Sequence, residues 1–332
     1  MKKIFFIISA ITMLFGTANA SSAQIKISTP NVNIDINEEQ LNEIISEVAD
    51  ALCECNITIN GKSINEYDND DTPNRIKGSG KIISKTIPAI SYDAIKASRG
   101  ARVVVEERED ENIIIKADDN LMPYVVVRKE GKSLRVTIDD NVKTATNITL
   151  EVYLPKNTDI NELTATSAAT INVRPTIQSR SLSLDATSAA KINFAKAEVE
   201  FFDADAASSA KVSGTLKSND CYLEASSASD IDLTLLAVLC SADASSAAKI
   251  SLSGETAKFE ADASSAAKIS ATKLTVRTEA ECDASSAAKI SVNAIKRLDA
   301  EASSGAVVTY VPADDLVKSI KQSSGGRVKT EY

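Results

Sequence analysis

Carboxylates and lysines recur at fixed spacings in the second half of this 332-residue chain. Asp185, Glu224, Asp243, Asp262, Asp283 and Glu301 each stand two residues before a small polar pair. Lys191, Lys211, Lys249, Lys268 and Lys289 each follow such a pair and precede an Ile or Val. A row of carboxylates can hold cations or accept hydrogen bonds from sugar hydroxyls; a row of ammonium groups only donates. Like charges stacked at strand spacing repel, so each row must face solvent or counter-charge. Two uses stay open. One is a solvated edge on which the rows partly neutralise each other; the other is a carbohydrate or cation track. The ligand-facing candidates are Asp243, Asp262 and Asp283 with Lys249, Lys268 and Lys289. Ser208, Ser226, Ser245, Ser264, Ser285 and Ser303 add a ladder of hydroxyls, which a tight corner that admits only small residues would also explain.

Catalysis finds little footing. The chain has no His, which excludes Ser-His-Asp and Cys-His relays, and no Cys-x-x-Cys or glycine loop of a nucleotide site. No catalytic, cofactor or metal residue is therefore expected, and the chain is read as a non-enzyme. A polysaccharide lyase or hydrolase could still use Asp, Lys and Arg, but short repeats leave little side loop to build a cleft. A net charge of −9 and a pI near 4.9 argue against nucleic acid as a partner. Five Cys follow residue 20. Cys221 and Cys240 occupy equivalent repeat positions, close enough for a disulfide or for two buried thiols.

The rows are set by a repeat. Ala-Ser-Ser-Ala-Ala-Lys-Ile occurs at Ala244–Ile250, Ala263–Ile269 and Ala284–Ile290, with degenerate copies from Ala165 to Val328. Copies start roughly 18 to 21 residues apart, the period of a solenoid with one coil per repeat. Polar and apolar residues alternate on both sides of the phrase, as in strands with one buried face. Phe259, Ala261 and Ala263 are expected to point inward on the approach, Ile269 and Ala271 on the exit, and Leu274 and Val276 on a third wall. A coil of ~19 residues has a perimeter near ~60 Å, and eight coils stacked about 4.8 Å apart make a rod of roughly 40 Å. The fold class predicted is all-β: a three-walled parallel β-helix. Its test is whether Ile250, Ile269 and Ile290 lie in register on parallel strands.

Upstream, residues 1–20 read as a cleavable signal peptide: Lys2 and Lys3, an apolar run from Ile4 to Phe15, then Ala18-Asn19-Ala20. No later segment is long and apolar enough to span a bilayer. Residues 21–75 read as an appendage with a strand at Val32–Ile36, an amphipathic helix at Asn37–Leu52 and an acidic linker. Residues 76–160 read as a β-rich cap whose strands include Arg102–Glu107, Asn112–Ala117, Tyr124–Lys129, Ser133–Ile138 and Asn147–Leu154. Residues 161–332 carry the repeats.

The pattern from Ile82 to Lys329 resembles the auto-transporter adhesin family with a head-GIN domain. The opening Ser91-Tyr92-Asp93-Ala94-Ile95-Lys96-Ala97-Ser98, the Asp118-Asp119-Asn120-Leu121 turn, the small-residue repeats and the terminal Ser323–Val328 carry the resemblance. It implies a right-handed parallel β-helix entered through a β-rich cap. It also implies export in a Gram-negative bacterium, to the periplasm, the outer-membrane surface or the medium. Ser-Ala stands here where the family more often has Ser-Gly. The functional expectation is a rigid binding or adhesion rod for a glycan or a host or envelope protein. A carbohydrate-active enzyme and a purely structural envelope component are the alternatives.

Overall fold

The computed structural model describes residues 75–331 except 109 and 111, together with four short strands further upstream. The signal peptide, the helix expected at Asn37–Leu52 and the acidic linker lie outside the described residues. The chain divides into two compact units, Met1–Arg75 and Ile76–Tyr332. In the first, Ile25–Thr29 pairs antiparallel with Val32–Ile36, where a strand was expected, and with Asn56–Ile59.

In the second unit, strand follows strand, and the described residues contain no α-helix. Ile250 pairs with Ile269 and Ile269 with Ile290, each in a parallel ladder. All three are at most 1% exposed. The expected alternation holds along each coil: Phe259, Ala261, Ala263, Ile269, Ala271, Leu274 and Val276 are buried, whereas Glu260, Asp262 and Lys268 are exposed. Register shifts after Ser251 and after Thr256 divide the ladder between neighbouring coils, and with the corner after Ala263 they mark off three short walls. The second unit is thus a parallel β-solenoid, and its interior is filled by stacked Ile, Leu, Ala and Phe.

The corner is a two-residue turn with both central residues left-handed: φ is 50° at Ser265 and 62° at Ala266. The Ala267 amide closes it by donating to the Ser264 carbonyl at 3.0 Å. This is the φ pattern of a type I′ turn, which usually recruits Asn and Gly. The same pair of positive φ values recurs at every repeat, for instance at Ser188–Ala189 and Ser246–Ala247. Neighbouring corners are bonded to each other, the Ala266 amide donating to the Ser286 carbonyl at 3.0 Å.

Crowding therefore does not explain the whole small-residue phrase. Ser265 and Ala266 are exposed, and it is the following position, Ala248, Ala267 and Ala288, that is buried. At its last occurrence the position is Gly326, where an added Cβ would run into the Ala302 carbonyl. An L-residue held left-handed costs about 1 kcal/mol. Ala266→Gly is accordingly expected to raise stability by about 1 kcal/mol in urea denaturation. Ala266→Trp, projecting into solvent, should lower it by no more than about 1 kcal/mol, and Lys268→Gln should leave it unchanged. A loss with Ala266→Trp as large as that of a core substitution would contradict the exposed placement.

The order of coils departs from the order of the chain at one end. Ala94–Ala97 and Arg102–Val105 form a coil whose corner, Arg99–Gly100, donates from Gly100 N to the Ser167 carbonyl at 2.9 Å. On one side, Ile95 pairs with Leu163 and Val103 with Ile171. On the other, Ile95 pairs with Leu134 and Val103 with Val152, residues that come later in the chain. This early coil is thus sandwiched between a later strand pair and the repeats. The outer edges of that pair are covered by antiparallel strands: Val125–Glu130 on Ser133–Ile138, and Asn112–Asp118 on Leu150–Leu154. Switching to antiparallel pairing ends the parallel ladder and leaves as an edge Val125–Glu130, whose Arg128, Lys129 and Glu130 carry charge. At the other end, Val317–Gln322 and Arg327–Thr330 each pair with the preceding coil, through Arg297–Ala302 and Val307–Tyr310. There Lys318 and Gln322 stand at positions that are apolar in the coil before, and inward polar groups discourage further strand addition.

Candidate binding surface

The carboxylates form one unbroken outer column. Asp185 pairs with Asp205, Asp205 with Glu224, Glu224 with Asp243, Asp243 with Asp262, Asp262 with Asp283 and Asp283 with Glu301. Asp205 is absent from the row expected from sequence because that row is phased on the Ser-Ser pairs. At Ala207-Ser208-Ser209-Ala210 the serines sit one place later in the turn, so Ser208 is equivalent to Ser227 and not to Ser226. The inward alternation of Phe202, Ala204 and Ala206 was the signal that would have found it. The column ends at Lys321, whose ammonium lies 3.6 Å from Glu301.

Asp243, Asp262, Asp283 and Glu301 line one shallow groove of about 530 Å³ together with Ser264, Ser285 and Ser303. The three candidate carboxylates and three of the candidate serines are therefore brought together. Lys249, Lys268 and Lys289 are stacked in a separate column beyond the corner and do not line this groove. Among the described residues no ion pair links the two columns. The lysine column is instead interrupted by its own counter-charge, Asp230, which pairs in register with Lys211 and Lys249 and lies 4.0 Å from the Lys249 ammonium.

Stacked carboxylates raise one another's proton affinity. Partial burial and then the charges of Asp283 and Asp243 push Asp262 above the ordinary aspartate range. Burial and Glu301 do the same to Asp283, with Lys321 opposing, and burial and Asp205 act on Asp185. A raised carboxylate pKa means the folded state binds more protons than the unfolded chain, so stability falls as pH rises through the window above the ordinary value. Asp262→Asn should therefore stabilise the protein at neutral pH and low salt. The gain should shrink in high salt and vanish below the aspartate range. A gain that persists at low pH would show that repulsion is not its cause.

Cys221 and Cys240 are register partners, both fully buried and both free thiols. Contact with Cys240 and then burial push the Cys221 thiol well up, which keeps it protonated and unreactive. Cys282 lies two coils further on in a different inward column and is likewise pushed up by burial. The described residues contain no cluster of His, Cys, Asp and Glu arranged to hold a metal, and no helix among them is long and apolar enough to cross a membrane.

A parallel β-solenoid with a packed interior and charge displayed in outer columns is a scaffold for presenting a surface. The family described as "putative auto-transporter adhesin, head GIN domain" matches residues 91–215 and 200–312, and the chain belongs to it. Solved structures that share the fold include three from Parabacteroides. A putative adhesin from Parabacteroides merdae is 20% identical, with a TM-score of 0.59, over 78% of this chain and 100% of that one. A putative lipid binding protein from Parabacteroides distasonis is also 20% identical, with a TM-score of 0.55 over 78% and 100%. A putative adhesin from the latter organism is 18% identical, with a TM-score of 0.50 over 77% and 100%. No curated protein matches the chain.

Proposed function

We propose that this chain is an exported, non-enzymatic adhesion protein whose rigid solenoid presents its outer walls to a ligand or partner. The observation that carries this reading is the unbroken carboxylate column running through a solvent-open groove beside the corner serines. Family membership supports it. The interior offers a ligand no room, because the Ile, Leu and Ala columns already fill it. Binding therefore belongs to the outside of the stack, where the same group recurs at each coil and weak contacts to a repeating or cell-borne partner add through multivalency.

Two measurements test this. Beads coated with the full chain should be retained on an immobilised layer of desialylated, desulfated mucin, whose neutral sugar hydroxyls can donate to the column, and Asp243→Asn/Asp262→Asn/Asp283→Asn beads several-fold less. Equal retention would remove the column from the binding surface. Protease treatment of intact cells should degrade a surface-exposed chain and spare a periplasmic one. A chain found in the cytoplasm with residues 1–20 still attached would overturn export.

A further inference from the structure

Another part of the solenoid has a different chemistry. Among the described residues, the exposed aromatic side chains are Phe201 and Tyr222, at 43% and 48% exposure. They belong to adjacent coils: Phe201 pairs with Asp220, and Tyr222 stands two residues beyond it on the same outer face. Such diagonal neighbours lie about 7–8 Å apart. The other large aromatics of these coils, Phe194 and Phe202, are buried against each other at 5.9 Å between ring centroids. Phe201 and Tyr222 thus contribute nothing to the interior.

Phe201 follows directly on Glu200, one of the residues lining a groove of about 590 Å³ formed where successive coils turn back toward this wall. Arg180 joins the two features: it lines the groove, and its guanidinium lies 5.9 Å from the centre of the Phe201 ring. Arg180 also reaches Glu200 at 3.3 Å. Gln178, Asn219 and Lys217 contribute further donors, and Gln178 and Asn219 acceptors as well.

We infer that Phe201, Tyr222 and the groove beside them form a subsite for a neutral oligosaccharide, deepening the adhesion reading on which it rests. A pyranose ring has an apolar C–H face that packs on an aromatic ring and a rim of hydroxyls that both donate and accept. The two exposed rings fit the former, and the mixed amide, guanidinium and carboxylate groups fit the latter. Charge selects against an acidic glycan: in the groove Asp159, Glu198 and Glu200 outnumber Arg180 and Lys217, and Asp203, Asp205 and Asp220 flank the rings.

The test is calorimetric titration of the full chain with cellohexaose, chitohexaose and mannohexaose, with a hexamer of galacturonate as the anionic control. At least one neutral hexasaccharide should bind and the galacturonate should not. Phe201→Ala and Tyr222→Ala should each weaken binding by about ten-fold, as expected for loss of one stacking contact. Ile295→Ala, exposed on a different coil, should have no effect. Absence of binding by all three neutral sugars at millimolar concentration overturns the subsite, as does binding that survives in the double variant. Mucin retention separates the two claims. If beads are retained through the carboxylate column while no neutral hexasaccharide binds, the subsite fails and the adhesion reading stands. Hexasaccharide binding by a chain that is not retained upholds the subsite and defeats the adhesion reading.

Discussion

Ile269→Asp is expected to destabilise the protein by about 4 kcal/mol or more, or to prevent folding altogether. Ile269 has no exposed surface and is held between Ile250 and Ile290, themselves fully or almost fully buried. Ionised, the new carboxylate would sit unpaired in a dry aliphatic column; protonated, it would still leave two oxygens without partners. The loss has nowhere to relax, because each coil is clamped by the one before and the one after. Urea denaturation of Ile269→Asp beside Lys268→Gln, its exposed neighbour, isolates burial from local sequence. An unchanged midpoint for Ile269→Asp would be incompatible with the stack.

Gly254→Ala should be the next most damaging, at about 3 kcal/mol. Gly254 has a φ of +106°, and a Cβ built on it would collide with the carbonyl oxygen of Leu235 in the neighbouring coil. Its register partners are Leu235 and Leu274, so the backbone comes close at a position where other coils place a leucine. Gly131 provides the comparison. It too has a positive φ, 62°, but an added Cβ meets nothing within 4 Å, so Gly131→Ala should lose only the left-handed penalty of about 1 kcal/mol. Equal losses at the two sites would mean that φ alone, and not the close approach of coils, governs Gly254.

The repeating half was legible because a solenoid makes local sequence and global position the same thing. Residues one period apart become neighbours, so Ile250, Ile269 and Ile290 could be placed in register from spacing alone. Alternation then assigned Asp262 outward and Phe259 inward. The pattern failed at Asp205 and Ser208, where the phrase had drifted by one position and small residues no longer marked the turn unambiguously. Phe201 and Tyr222 were legible only through that same alternation, which turns Phe202 and Cys221 inward and leaves both rings outside.

By itself, the sequence determined the all-β class, the period, the inward columns and the existence of charged rows, because each follows from side-chain alternation within one coil. Only the tertiary structure decided three things. It separated the carboxylate groove from the lysine column, because the corner between them turns both onto different walls. It showed that the corners are held left-handed, a backbone property that Ser and Ala do not announce. It also inserted the coil Ala94–Val105 between later strands and the repeats. That order rests on hydrogen bonds between segments tens of residues apart, and no local pattern encodes such a pairing.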